Sequence, residues 1–183
     1  MVEKVADVSR QEAELRADDT CDGWASAPRA CAEPAIRLRP ARLGDRDFAA
    51  SLYLDSMQRL LGALGTWDED RVVRRFRKSF RVEQSQIVRL GDIDIGWIQV
   101  SETTDHIHLH QIHLVEQFRN RGIGGQLIAA LLLRAQAAVC PVLLNVVRGN
   151  PAMSLYARLG FRPVRTDEEK VLMRWEPDRL RGD

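Results

Sequence analysis

The chain has 183 residues, with 27 Lys and Arg against 26 Asp and Glu, for a net charge of +1. That length can bury most of its apolar surface in one core, and near-neutrality disfavours general affinity for nucleic acid or an anionic membrane. No apolar run is long enough to span a bilayer, the charged start lacks the apolar stretch of a secretion signal, and Cys21, Cys31 and Cys140 are unevenly spaced. The cysteines therefore read as reduced thiols of a cytoplasmic protein, not as a disulfide framework or a metal site.

Residues 1–34 are rich in Glu, Asp, Ala and Arg and hold almost no large apolar side chain before Trp24. They are expected to form a mobile extension ahead of one domain over 35–176, with a short tail over 177–183. Ile36 to Arg39 alternates as a half-buried strand and stops at Pro40. From Gly44-Asp45 a helix follows, with Phe48, Leu52, Met57, Leu60, Leu61 and Leu64 at helical spacing up to Gly65. Asp68 is placed to cap a second helix, whose apolar edge is Val72, Val73, Phe76 and Phe80. Its other face carries Arg71, Arg74, Arg75, Arg77, Lys78 and Arg81, which in a near-neutral chain reads as a solvated face.

Ile87 to Leu90, Gly91-Asp92 and Ile93 to Val100 read as a hairpin, and Ile107 to Val115 as the next strand. After a glycine-rich turn, Leu127 to Val139 is an almost wholly apolar helix ended by Pro141. Val142 to Val147 has the composition of a buried strand. Asn150-Pro151 starts a helix that Gly160 closes, and Phe161 to Val164 with Val171 to Trp175 makes a last hairpin. The order is βααβββαβαββ, an α+β arrangement.

The turn Arg119-Asn120-Arg121-Gly122-Ile123-Gly124-Gly125 sits between a strand and a helix. Glycines there let several backbone N–H groups converge on one anion, and the helix start adds unpaired donors and a positive dipole end. Arg119 and Arg121 are expected to add positive charge at the rim. A Walker loop would need Lys-Ser or Lys-Thr after the last glycine, whereas Gln126-Leu127 follows Gly125. A dinucleotide fold would need its glycines after a first strand and an acidic residue some way on.

These residues resemble the (Gln/Arg)-x-x-Gly-x-(Gly/Ala) signature of the GCN5-related N-acetyltransferases, the GNAT superfamily. A second stretch carries the resemblance independently: Asn150-Pro151-Ala152, Leu155-Tyr156 and Gly160-Phe161 follow the family's Asn-x-Ala-x-x-x-Tyr-x-x-x-Gly-Phe pattern. The resemblance covers about 35–175 and implies the GNAT fold, a mixed, mostly antiparallel sheet flanked by helices. It implies acetyl transfer from acetyl-CoA to a primary amine on a small molecule or peptide, with no metal. Ile112, His113 and Leu114 would hold the pantetheine arm through their backbone. Arg119, Asn120, Arg121, Gly122, Ile123, Gly124 and Gly125 would bind the pyrophosphate. Asn150 would touch the cofactor and Tyr156 would stand near the thioester sulfur. Trp67, Asp68 and Glu69, between the first two helices, are candidates to line the acceptor site.

Tyr156 suits that role chemically, because a leaving thiolate needs a proton and a phenol is protonated at neutral pH. The amine in turn must lose a proton, a task suited to histidine. All four histidines, His106, His108, His110 and His113, fall within eight residues. Along a regular strand His106, His108 and His110 share one face, while Ile107, Leu109 and Gln111 share the other. Same-face side chains of one strand stand too far apart to close a tetrahedral zinc site. By resemblance, one branch of the family has a His-x-His pair on this strand and another a catalytic Glu at the position of His108. His108 is therefore the first candidate base, with His110 second or acting through water, and Asn145 could orient the amine. Two rival readings are a CoA-binding module without turnover and an acetyltransferase directed at aminoacyl-tRNA, using the basic second helix. A homodimer is compatible with either.

Overall fold

The computed structural model describes residues 35–178, so the expected extension over 1–34 and the end of the tail, 179–183, lie outside the described residues. The chain runs β1 (Ile36–Pro40), α1 (Arg46–Ala63), α2 (Glu69–Ser79), β2 (Ser85–Leu90), β3 (Ile93–Glu102) and β4 (Ile107–Leu114). It continues with α3 (Ile123–Ala137), β5 (Val142–Val147), α4 (Ala152–Arg158), β6 (Arg162–Thr166) and β7 (Lys170–Trp175). The strands form one seven-stranded sheet in the order β1-β2-β3-β4-β5-β7-β6. Only β4 and β5 pair in parallel; every other neighbouring pair is antiparallel. The expected element order and the mixed sheet are both present.

Alternation along the strands divides the core into two faces. Ile87 and Trp97 point one way and bury Leu52 and Tyr53 of α1 with Val72 and Phe76 of α2. Val88 and Ile95 point the other way, beneath Ile123 and Leu127 at the start of α3. Further along that face, Ile98, Leu109, Val142 and Leu144 pack on Ile128, Leu131 and Leu132 of α3 and Tyr156 of α4. The buried set of α3 recurs at helical spacing, and Leu133 on its outer side is 73% exposed. Asp68 caps α2 by accepting from the Arg71 amide at 2.9 Å. Glu69 and Asp70 open that helix and Arg77 and Lys78 close it, each sign at the favourable end of the dipole.

Three details differ from the sequence reading. The alternation over Ile36 to Arg39 does not half-bury β1, an edge strand whose Leu38 is 44% exposed because no helix covers that rim. The helix after the glycine turn begins at Ile123, one turn earlier than the apolar run suggests. The start of the tail is docked: the Gln136 side chain of α3 donates to the Asp178 carbonyl and accepts from its amide, both at 2.8 Å.

Gly96 of β3 is where the backbone allows no side chain. It pairs with Leu114, and a Cβ there would overlap the His113 carbonyl and stand 2.7 Å from Leu114 Cδ2. Gly96→Ala is expected to cost about 1–3 kcal/mol, because β4 must move to admit the methyl. Chemical denaturation reads the loss directly; an unchanged midpoint would show that the end of β4 yields freely.

Candidate active site

The site lies where β4 and β5 part. Their parallel pairing holds only for Ile107 with Val142, His108 with Leu143 and Leu109 with Leu144. From His110 onward β4 pairs with β3 alone, so backbone groups of Gln111 to Leu114 that point away from β3 have no strand partner. The glycine turn is at the far end of this gap. Asn120 (φ 59°) and Gly122 (φ 80°) are left-handed, and no side chain caps the first turn of α3. Orphan amides of Ile123, Gly124 and Gly125 therefore stand at the positive end of a fifteen-residue helix. A Cβ on Gly122 would meet nothing within 4 Å, which leaves open space over this turn. Gly124 and Gly125 also let α3 approach Leu155 of α4, at 3.9 and 3.7 Å from a would-be Cβ.

The two arginines of the turn do different things. Arg119 does not present a free charge at the rim as expected. Its Nε donates to the Leu114 carbonyl at 2.8 Å and its guanidinium to Asp55 Oδ2 of α1 at 2.6 Å, with Ser56 Oγ at 3.3 Å. Its charge is neutralised by Asp55, and the side chain fastens the end of β4 to α1. Arg121 is exposed, its guanidinium carbon 5.7 Å from the centre of the Phe118 ring.

On β4 a bulge re-aims the side chains. Gln99 pairs with Gln111 and Val100 with Leu109, which leaves His110 without a counterpart on β3. The extra residue corrects the two-face reading of this strand. Gln111 does not share a face with Ile107 and Leu109; it lies beside His113, whose Nε2–H donates to Gln111 Oε1 at 2.9 Å. His113 is buried, stacked on Trp97 at 5.3 Å and edge-on to Tyr53 at 5.4 Å. Burial, and secondarily the Arg119 charge, push its pKa down to about 3, so its side chain is a neutral part of the core.

His106, His108 and His110 do gather on one side. The His108 and His110 rings stack at 4.3 Å and 6°, and His106 meets His108 at 6.2 Å. His110 Nε2 is 2.7 Å from Ser101 Oγ, and His108 Nε2 is 3.3 Å from Asn145 Nδ2 on β5. An amide nitrogen only donates, so Nε2 of His108 is the unprotonated nitrogen. Its pKa is pushed down to about 4, first by burial and then by His110 and His106. Burial also lowers that of His110. Mutual repulsion is thus the smaller part of the shift. Among the described residues no group of three or more His, Cys, Asp or Glu is arranged to hold a metal ion.

His108, His110, Asn145, Asn150 and Tyr156 line one cleft of about 250 Å³, together with Ile112 and His113. Tyr156 is 8% exposed, its ring 5.9 Å from Phe161, and burial raises its pKa to about 12. Asn150 Oδ1 accepts from the Ala152 amide at 2.9 Å and so starts α4. Its Nδ2 has no protein partner among the described residues. Trp67 is not brought to the cleft; it packs against the α1–α2 core, because the turn that carries it closes over those helices. Asp68 is engaged as the α2 cap.

Sequence reasoning missed Tyr53 of α1, Arg75 and Ser79 of α2 and Lys170 of β7, all of which reach the cleft. For Arg75 the signal was present but ambiguous: it belongs to the basic face of α2, and it is the member of that face on the cleft lining.

Residues 81–163 match the family model described as the acetyltransferase (GNAT) domain. That stretch, just under half of the chain, is similar to the GNAT acetyltransferase domain. The matched residues run from just after α2 into the final hairpin, and so include β4, the glycine turn and Tyr156. Solved structures share the architecture beyond that stretch. The PaiA N-acetyltransferase of Thermoplasma acidophilum, solved with coenzyme A, has a TM-score of 0.64 at 18% identity, over 78% of this chain and 99% of its own. An acetyltransferase from Thermus thermophilus has a TM-score of 0.61 at 18% identity, over 79% and 99%. A GNAT family acetyltransferase from Elizabethkingia anophelis, solved with acetyl-CoA, gives 0.54 at 18% identity, over 77% and 97%. At such identity the likeness bears on the fold alone. A comparison with curated proteins gives no match.

Proposed function

We propose that this protein transfers an acetyl group from acetyl-CoA to a primary amine by direct attack within a ternary complex. The observation that carries the reading is the gap between β4 and β5: orphan amides of α3 stand at one end, and Tyr156 and His108 share the cleft at the other. The residues present fit the cofactor. An extended chain with its own amides can pair with the free edge of β4 at Ile112 to Leu114, and a pyrophosphate matches the turn from Asn120 to Gly125. Arg119 contributes its backbone and the anchoring of β4, Arg121 its charge, and Asn150 its free Nδ2. Acetyl-CoA bound there supplies an acetyl group activated as a thioester.

His108 receives a proton from the acceptor nitrogen at Nε2, where the incoming N–H takes the place of the Asn145 amide that lies 3.3 Å away, with His110 the alternative receiver through water. A base with a pKa of about 4 is weak, but it is neutral at every physiological pH. The N–H it faces becomes far more acidic as the new N–C bond forms, so a weak base suffices at that point in the reaction. Tyr156 donates to the departing sulfur; raised to about 12, its phenol holds its proton until the thiolate needs it. None of this chemistry calls on a metal.

CoA should raise the melting temperature, by an amount equivalent to about 2.7 kcal/mol at a hundred times its Kd. Gly124→Val should remove most of that shift while leaving the apo protein folded. A Cβ at Gly124 meets only Leu155 at 3.9 Å, whereas the added methyls crowd the amides that face the anion. Differential scanning fluorimetry tests both; no shift with saturating CoA would overturn the cofactor assignment.

A further inference from the structure

The cleft is lined by two cations and by no carboxylate. Arg75 enters from α2, and Lys170, the first residue of β7, from beside Val147 at the end of β5. Alternation puts Lys170 on the opposite face from Val171 and Met173, which pack under α3 and α4. Both cations thus stand on the α1–α2 side of the sheet, away from the start of α3. They are poorly neutralised. Glu169 accepts from Arg71 at 2.7 Å and lies 3.8 Å from Arg75, so two arginines share a carboxylate that is itself 56% exposed. Lys170 makes no ion pair among the described residues. Its pKa is lowered, first by burial and then by Arg75.

Two half-buried like charges beside neutral histidines are unfavourable alone, and an anion between them relieves the cost. A polycationic amine would meet the reverse: repulsion, with the nearby Glu169 already shared by Arg71 and Arg75. We infer that the acceptor is a small amine that carries its own anionic group, a carboxylate or a phosphate, bound between Arg75 and Lys170. This deepens the acetyltransferase reading and rests on it. The anion anchors one end of the acceptor, and the amine is left toward His108 and Asn145.

The test pairs amines that differ only in the anion. Each proteinogenic amino acid is compared with its carboxamide, phosphoethanolamine with ethanolamine, and spermidine is included as a polycation. Acetylation should favour the anionic member by about tenfold or more in kcat/KM. The acid–amide and phosphate–alcohol arms report which anion is preferred. Arg75→Gln and Lys170→Gln should raise KM for the anionic acceptor and erase the preference, while KM for acetyl-CoA stays unchanged. Equal use of amines that lack the anion, or of spermidine, overturns the inference, as does a rise in KM for acetyl-CoA alone.

If CoA binds but no amine is acetylated, the acetyltransferase reading fails, and calorimetry on the CoA-bound protein still decides the second point. Selective binding of an acid over its amide, lost in either variant, upholds the anion site. Equal or absent binding removes it.

Discussion

His108→Gln is expected to lower kcat by on the order of 10²–10⁴-fold if His108 is the only base, with the folded protein intact. The variant keeps roughly the size and polarity of the imidazole and removes its basic nitrogen. The wild-type pH profile should be distinctive. The base works when neutral, and burial followed by the neighbouring imidazoles puts its pKa at about 4, so the limb of the profile that belongs to His108 should appear only as pH approaches that value, well below the limb set by the acceptor's own ammonium. Stability moves in the same direction for a separate reason. His108 and His113 bind protons in the unfolded chain near pH 6.5 but resist them when folded, so stability declines as pH falls from about 6.5, to about 4 for His108 and to about 3 for His113. Denaturation measured across that window separates the two effects, and His108→Gln should lose less stability there than wild type. A modest kinetic loss that becomes large only when His110 is also replaced would mean that either imidazole can take the proton. Full activity in the double variant would remove histidine from the role. Loss of wild-type activity on chelation would point to a metal instead.

Tyr156→Phe should reduce kcat by about 10²–10³-fold and leave KM for acetyl-CoA nearly unchanged. In the proposed mechanism the hydroxyl acts on charge that develops only as the thiolate leaves, so its loss would be felt in the transition state and hardly in the bound ground state. The ring itself is retained by phenylalanine, and it is the ring that packs with Phe161 in the core. A structural role would therefore be preserved in this variant. Burst kinetics should first establish that chemistry limits turnover. An unchanged kcat under that condition would return Tyr156 to packing alone.

The element order from β1 to β7 was legible because its punctuation is local. Pro40, Asp68, Gly91, Pro141, Asn150 and Gly160 stop, cap or turn the chain through their own backbone and side-chain chemistry. The bulge at His110 was not legible, because an unpaired residue is set by how β3 and β4 register with each other, and His110 itself carries no mark of it. That single extra residue reverses the side-chain alternation for Gln111 onward, and it is why His113 is in the core beside Trp97. Arg119 was read as a free cation because its partner, Asp55, is on a helix far away in sequence. Arg75 and Lys170 meet for the same kind of reason, as α2 crosses the sheet near the start of β7. Trp67 packs on the α1–α2 core and not on this cleft, since an aromatic in an interhelical turn can serve the core as readily as a ligand.

The short seam between β4 and β5 has a consequence for how the fold keeps its own company. An open sheet has two outer rims, here β1 and β6, and exposed rims of this kind invite other chains to add strands. This sheet has a further rim inside it, where β4 turns away from β5 after three pairs. Left on the surface, such an edge would be a template for aggregation. Here helices flank it on both faces, α1 and α2 on one and α3 and α4 on the other, so a strand that already belongs to another sheet would have to bring its neighbours past them. A hazard of β-structure is thereby kept off the outer rims of the sheet.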